Sequence, residues 1–117
     1  MSIQSMMREF REQTEPYIFT STRVWRGVIA FELDPHHRSV GLGRICALQH
    51  GHASAALDWL GSLADRHGVK MMGVIEPFGE ARLTRKQLAA WYRRHGWEIT
   101  NGCYIDREPK QQERKAA

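Results

Sequence analysis

A broad apolar helix pattern between two strand-like runs constrains the fold of this chain more than any other feature. Residues 53–67 place alanine and leucine on one wide face at helical spacing, and Gly68 ends the pattern. The flanking runs, 40–48 and 69–75, have the apolar and β-branched composition of strands. A helix that links two strands favours a right-handed crossover and a parallel strand pair. We therefore expect a sheet that contains a parallel pair.

Further helix and strand patterns lie on both sides of this unit. The full set is a helix at 3–13, strands at 23–33 and 40–48, a helix at 53–67, a strand at 69–75, a helix at 84–95 and a strand at 97–105. A turn at 34–39 joins the first two strands into an antiparallel hairpin. The nearly continuous apolar run at 69–75 is typical of a strand buried inside a sheet. The order α-β-β-α-β-α-β predicts an α+β or mixed α/β fold, with a mixed sheet flanked by helices.

The composition fits a single domain. The chain has 117 residues, of which 42% are hydrophobic and 26% are charged, and this length supports one hydrophobic core. Residues 1–105 are assigned to the domain, whereas residues 106–117, including Arg107, are polar and without periodicity and are expected to form a solvated tail. No apolar run approaches the roughly 18 residues of a membrane span, and the N-terminus lacks an apolar signal core. A cytoplasmic protein without a membrane partner is the expectation.

The net charge of +4 allows two kinds of partner. A basic chain suits nucleic acid, but it suits a phosphate-bearing cofactor equally well. Arg85, Lys86, Arg93 and Arg94 lie on the predicted helix at 84–95, where such charges usually form a solvated face. Because part of the basic excess belongs to the tail, nucleic-acid binding is the weaker interpretation.

Cysteine and histidine residues give no metal-binding pattern. Cys46 and Cys103 lie in strand-like runs and are expected to be buried free thiols. The six histidines include no three at a spacing typical of metal ligands. No metal site is predicted.

The segment between the strand at 40–48 and the long helix has the composition of an anion-binding turn. The strand runs into Gly51 and then into a helix start with the small residues Ala53, Ser54 and Ala55. Backbone N–H groups at a helix start point outward, and the helix dipole favours a phosphate there. A plain strand-to-helix connection has the same composition, so both interpretations stay open.

The last predicted helix has a clear start and an aromatic face. Thr84 and Gln87 form the pattern of a capping box. Leu88, Trp91 and Tyr92 fall on one side at helical spacing, and a glycine then ends the helix. An ordinary amphipathic helix would show the same pattern.

Residues 40–105, taken together, resemble the GNAT-type N-acetyltransferases. This family carries an Arg/Gln-x-x-Gly-x-Gly/Ala motif at the turn, and Gly51-x-Ala53 matches its second half. Leu48 stands where the motif has Arg or Gln, although Gln49 is the next residue. The closing helix, in which a tyrosine is followed by three residues and a Gly-aromatic pair, is also similar to that of the family. Since one short helix precedes the first predicted strand, the chain looks like a compact, N-terminally reduced, phage-type member.

The resemblance implies a site for acetyl-CoA. In this family a strand amide polarises the acetyl carbonyl, and the glycine turn wraps the pyrophosphate. The corresponding positions are Ile45, Cys46, Ala47 and Leu48 on the strand and Gly51, His52, Ala53 and Ser54 at the turn. The pantetheine arm would lie in a gap between the strands at 40–48 and 69–75.

Transfer of the acetyl group to an amine also implies proton transfers. Tyr92 corresponds to the family tyrosine that protonates the departing thiolate, and a half-buried packing residue is its alternative interpretation. Glu32, near the end of the first strand, and Glu76, just past the buried strand, are candidate bases. His50 and His52 flank the glycine turn and are further candidates. The family also deprotonates the amine through water, without a dedicated residue.

The leading hypothesis is an acetyl-CoA-dependent N-acetyltransferase that acts on a primary amine of a protein or small molecule. The alternative is a catalytically inactive GNAT-fold binding or inhibitory module, of viral type, which Leu48 and the short N-terminal part favour. A small basic nucleic-acid-binding protein is the third hypothesis. The exposed edge of a small sheet and the aromatic content are compatible with a homodimer.

Overall fold

The computed structural model describes residues 2–17, 22–49, 51–75 and 83–110. These residues form a mixed α+β fold in which three helices pack against one seven-stranded sheet. The elements are α1 (Ile3–Glu12), β1 (Thr14–Pro16), β2 (Thr22–Trp25), β3 (Ile29–Pro35), β4 (Ser39–Ala47), α2 (Ala53–His67), β5 (Lys70–Val74), α3 (Arg85–Arg94), β6 (Glu98–Thr100) and β7 (Tyr104–Arg107). The strand order in the sheet is β1-β2-β3-β4-β5-β7-β6.

The strands β4 and β5 form the parallel pair that the strand-helix-strand pattern predicts. Residues 39–42 of β4 pair with residues 70–73 of β5, and α2 connects the two strands. The other neighbouring strands pair antiparallel. α2 has the predicted bounds because Gly68 ends it with a φ of 64°, which lets its N–H donate to two carbonyls of the last turn.

One buried cluster joins all three helices to one face of the sheet. Trp59 of α2 is partly buried and packs against this cluster, with its ring centroid 5.4 Å from that of Trp25, 6.1 Å from that of Phe10 and 5.8 Å from that of Phe31. The largest buried side chains include Trp97, Phe31, Met6, Ile29, Leu57, Leu60, Leu63, Met71, Ile75 and Ile105. Burial of these apolar side chains is the main source of stability for the fold.

The opposite face of the sheet carries no helix within the described residues. Along β5, Met71 is buried, whereas Met72 and Val74 are 44% and 48% exposed. Along β7, Ile105 is buried and Tyr104 is 52% exposed. Because successive side chains of a strand point to opposite faces, the helices lie on one face only. We call the other face the open face.

The prediction of a strand at 69–75 that is buried inside the sheet is therefore wrong for one of its faces. β5 does lie between two other strands. Its apolar composition predicts cover on both faces, but the three helices all lie on the same side. The open-face residues of β5 are consequently exposed apolar side chains.

Two predicted strands are each broken by a turn. The strand at 23–33 is β2 and β3, joined at Arg26-Gly27, and the strand at 97–105 is β6 and β7, joined at Asn101-Gly102. These four turn residues have φ values of 51°, 72°, 53° and 74°, and positive φ at both central residues is typical of a type I′ turn. An Asn-Gly pair is a strong sequence signal for this turn, so the second break was predictable from the sequence.

The short strand β1 was not predicted. It follows α1 directly and pairs with β2 at the edge of the sheet. An edge strand tolerates Pro16 because the missing N–H can face away from the neighbouring strand.

The expectation of a solvated tail from residue 106 is wrong for its first residues. Asp106 and Arg107 belong to β7, and Arg107 is only 4% exposed. Its guanidinium donates to the carbonyl of Gly61 at 3.1 Å and forms an ion pair with Asp65 at 3.0 Å. These contacts with α2 hold Arg107 inside the fold. The rest of the predicted tail, residues 111–117, lies outside the described residues.

The prediction of buried thiols is also wrong. Cys46 is exposed, and Cys103 is partly exposed. Cys46 lies in the half of β4 that follows residue 42, on the open face, and Cys103 lies in the turn between β6 and β7.

None of the helices formed by the described residues has the length and apolar character needed to cross a membrane.

Candidate functional site

The pairing between the parallel strands β4 and β5 ends halfway along β4, one residue before β5 itself ends at Val74. Their pairing ends at Leu42 and Gly73, although β4 continues to Ala47. From residue 43 onward, β4 pairs with β3 alone within the described part of the chain. We call the space beside residues 43–47 of β4, on the side of β5, the strand gap.

A β-bulge occurs at the same point. Glu32 pairs with Arg44, and Leu33 pairs with Leu42, so Gly43 is the extra residue on β4. A bulge bends its strand and increases the local twist, and such bulges often lie next to active sites. The bulge at Gly43 lies immediately after the last residue pair of β4 and β5.

Two backbone amides of β4 point into the strand gap. The N–H of Leu48 donates to the carbonyl of Val28, just before β3, at 2.8 Å. Because N–H groups alternate between the two sides of a strand, the amides of Cys46 and Leu48 face β3, and those of Ile45 and Ala47 face the gap. Of the four predicted strand positions, Ile45 and Ala47 therefore have the amides on the side of the strand gap.

The start of α2 has no side-chain cap. His52 occupies the N-cap position without a capping hydrogen bond, and the first turn contains no acidic residue. By contrast, Ser2 caps α1, and Thr84 forms the predicted capping box at α3. Gly51, with a φ of 89°, has nothing within 4 Å of the position of an added Cβ. An uncapped helix start beside an open glycine turn presents N–H donors to an anion.

Side-chain hydrogen bonds hold α3 beside the first turns of α2. The indole Nε1–H of Trp91 donates to Oγ of Ser54 at 2.8 Å. One turn further along each helix, His95 Nδ1 lies 2.7 Å from Asp58 Oδ1. The predicted turn residue Ser54 and the closing helix are therefore brought together. Sequence reasoning did not select Trp91, Asp58 or His95, because contacts between helices depend on how the two elements pack.

Tyr92 is buried among aromatic rings on the helix-covered side of the sheet. It is 6% exposed, and its ring centroid lies 5.0 Å from that of Trp91 and 5.6 Å from that of Trp97. Burial raises the pKa of Tyr92 to about 12, because the phenolate would be poorly solvated there. The hydroxyl therefore stays protonated at neutral pH.

Glu32 lies on the open face, next to the bulge. Its Oε1 lies 3.0 Å from the position that a Cβ on Gly43 would occupy, and Asp34 Oδ2 lies 3.4 Å from the same point. His36 Nε2 lies 3.1 Å from the equivalent point on Gly41. The two glycines of β4 thus leave room for these polar side chains to lie on the strand. Asp34 and His36 were not selected from the sequence, although their alternate spacing with Glu32 was an available signal.

A cleft of about 450 Å³ opens on the open face where β4 and β5 separate. Its lining residues are Asp34, His36, Gly41, Leu42, Gly43, Met72, Gly73, Val74 and Tyr104. The cleft therefore combines acidic, imidazole and apolar groups beside the strand gap.

The other predicted site residues are less closely grouped. Leu48 is 40% exposed, His52 is exposed and Ala53 is half-buried. Glu76 and His50 lie outside the described residues. Within the described ranges, no group of three or more His, Cys, Asp or Glu side chains is arranged to hold a metal ion.

No protein-family model matches this chain, and no curated protein sequence matches it either. Its function must therefore be inferred from its residues and their geometry.

Proposed function

We propose that this protein is an acetyl-CoA-dependent N-acetyltransferase of GNAT type that acts on a primary amine. The strand gap is the observation that carries the proposal. β4 and β5 pair as far as Leu42 and Gly73, and the alternation of N–H groups along β4 directs the amides of Ile45 and Ala47 to the side of the gap. The sequence resemblance assigns the pantetheine arm of acetyl-CoA to this same space.

The groups around the gap suit the two polar parts of acetyl-CoA. The uncapped start of α2 offers N–H donors and a helix dipole to the pyrophosphate. The amides of Ile45 and Ala47 would donate to the carbonyl oxygen of the acetyl group, where negative charge develops during transfer. Leu48 supplies no polar side chain where the family motif has Arg or Gln, so backbone donors carry phosphate recognition in this chain.

Two side chains are assigned to the proton transfers. When bound, acetyl-CoA supplies a thioester whose carbonyl carbon the amine attacks. Tyr92, which keeps its proton at neutral pH because its pKa is raised to about 12, would supply a proton to the thiolate of coenzyme A. Glu32, on the open face beside Gly43, accepts a proton from the amine directly or through water. The donor and the acceptor lie on opposite sides of the sheet, which suits reactants that enter the gap from opposite faces.

The proposal is tested by calorimetric titration with acetyl-CoA, together with release of free thiol over a panel of primary amines. We expect saturable binding and turnover with at least one amine. The Tyr92→Phe variant should bind acetyl-CoA within about threefold of the wild type, but its turnover should fall by about 100-fold or more, since it loses the acid. Tyr17→Phe is the matched control, because Tyr17 is an exposed tyrosine away from α3, and it should retain full activity.

Absence of binding at millimolar acetyl-CoA would contradict the proposal. Full turnover by Tyr92→Phe would remove the assigned role of the tyrosine, but it would leave the cofactor site in place.

A non-catalytic binding module is the second candidate, and Leu48 favours it. The side chain at this position is apolar and 40% exposed, which weakens the expected pyrophosphate site. Binding of acetyl-CoA without thiol release for any amine in the panel would support this candidate over the enzyme.

A further inference from the structure

The open face carries a band of exposed apolar side chains. Met72, Val74 and Tyr104 are 44%, 48% and 52% exposed. The strand register places Val74 opposite Tyr104, and Met72 lies two residues away along β5 on the same face. The three side chains are therefore contiguous, and the cleft of about 450 Å³ lies at their edge. A contiguous apolar band of this kind is typical of an interaction surface.

Acidic side chains flank this band on both sides. The register pairs Asp34 with Gly41, Gly41 with Met72, Met72 with Asp106 and Asp106 with Glu98, so one row crosses five strands. Four strand spacings of about 4.8 Å place the two ends of the row about 19 Å apart. We call these five residues the Met72 row. Its apolar centre and charged ends match the usual arrangement of a protein–protein interface.

The charge of the open face is opposite to that of the whole chain. From β3 to β6, its charged side chains are the acids Glu32, Asp34, Asp106 and Glu98 and the bases Arg44 and Lys70. One of the two bases, Lys70, already forms an ion pair with Glu108 at 3.2 Å. The chain as a whole has a net charge of +4. Among the described strands β3 to β6, the open face is therefore acidic, in contrast to the chain as a whole.

We propose that the open face binds a basic segment of a partner protein, in which apolar residues lie between cationic ones. The cations would pair with the two ends of the Met72 row, and the apolar residues would cover Met72, Val74 and Tyr104. An extended chain rises about 3.3 Å per residue, so about six residues span the row. This inference does not depend on acetyl transfer.

Two other occupants fit the surface less well. A second copy of the chain, docked face to face about a two-fold axis, would place acidic rows against each other. A small polyamine would satisfy the carboxylates, but it would leave the apolar band exposed to water. A polypeptide with both cationic and apolar side chains would pair with the carboxylates and also cover the apolar band.

The test uses a fluorescent peptide of about eight residues, with lysines at both ends and leucine, valine and tyrosine between them. Binding is measured by anisotropy at physiological salt. We expect saturable binding to the wild type and a loss of about tenfold or more for the double variant Asp34→Asn/Asp106→Asn, because the nearest acid of the row on each side of Met72 loses its charge. The control Glu12→Gln/Glu15→Gln removes the same charge from exposed positions of α1 and β1, outside the Met72 row, and should bind as the wild type does.

A second variant, Met72→Ser/Val74→Ser, tests the apolar contribution. Because both side chains are exposed, the variant should keep its fold, and circular dichroism checks this. Its affinity for the peptide should fall by about tenfold.

Three results would overturn the proposal. The first is absence of peptide binding by the folded wild type, and the second is an equal loss in both charge-neutralised double variants. The third is evidence for a different occupant. This evidence would be displacement of the peptide by equimolar spermine, or a dimer that is detected by sedimentation and abolished in Met72→Ser/Val74→Ser.

Discussion

Gly73 sets the distance between β4 and β5 at the last residue pair before they separate. A Cβ added at Gly73 would lie 2.9 Å from the carbonyl oxygen of Leu42 and 3.4 Å from the side chain of Ile105. The first contact involves backbone, which cannot move without shifting the parallel pair. A single missing side chain thus allows the close pairing that precedes the strand gap.

We expect Gly73→Ala to lower the free energy of unfolding by about 1–3 kcal/mol, because the added methyl must push the two strands apart. Gly41→Ala is the control, since its nearest neighbour is the end of the His36 side chain at 3.1 Å, which can rotate away. The control should change stability by less than about 0.5 kcal/mol. Urea unfolding followed by fluorescence measures both variants, and equal stability of the two would contradict this role of Gly73.

At the scale of elements, one carboxylate links the first helix to the second. Glu9 of α1 contacts His67 at 2.7 Å and also forms an ion pair with Arg66, both in the last turn of α2. The hydrogen bond from His67, followed by that from Arg66, lowers the pKa of Glu9 below its ordinary value of 4.5. Basic groups at a helix C-terminus also interact favourably with the helix dipole.

The lowered pKa makes this link dependent on pH. A carboxyl whose pKa is lower in the folded state contributes stability above its unfolded pKa, and this contribution is lost as the pH falls through the folded value. We expect Glu9→Gln to lower the free energy of unfolding by about 1 kcal/mol at pH 7. The difference from the wild type should shrink as the pH falls below 4.5.

Urea unfolding at several pH values between 7 and 3 measures this dependence. Glu12→Gln, at an exposed position of the same helix, is the control, and it should cost less than about 0.5 kcal/mol. A Glu9→Gln difference that stays constant over this range would contradict the assignment.

The elements that local residues define were predictable. α2 has its predicted bounds, and Thr84 and Gln87 mark the start of α3, because caps and periodicity act within one segment. The break at Arg26-Gly27 was missed because apolar residues continue on both sides of the turn, whereas Asn101-Gly102 is a sequence signal for its turn that was overlooked. Positive φ at the turn residues, rather than hydrophobicity, decides these boundaries.

The candidate site was predictable only in part. The turn at Gly51 and the tyrosine on α3 are local features of the sequence. The placement of Glu32 and Asp34 over Gly43 depends on the bulge between β3 and β4. The exposed apolar residues of β5 depend on all three helices packing on one face. Neither property can be derived from one segment alone.

At the scale of the whole molecule, the sheet divides the protein into two chemically different sides. The helices and the aromatic cluster, with Tyr92, lie on one side, and acidic and apolar side chains lie on the other. The strand gap is the place where the two sides come together. The proposed transfer from acetyl-CoA at the start of α2 to an amine on the open face would need this connection.

The most direct test of the proposed cofactor site is a nuclear magnetic resonance titration of the ¹⁵N-labelled protein with acetyl-CoA. We expect the amide signals of Ile45, Ala47 and residues 53–55 to shift saturably with one shared dissociation constant, because they face the gap or the uncapped start of α2. The amide of Val24, in the distant strand β2, should stay unchanged. If these five signals stay fixed at millimolar acetyl-CoA, or if the shifts lie on other elements, the strand gap is not the cofactor site.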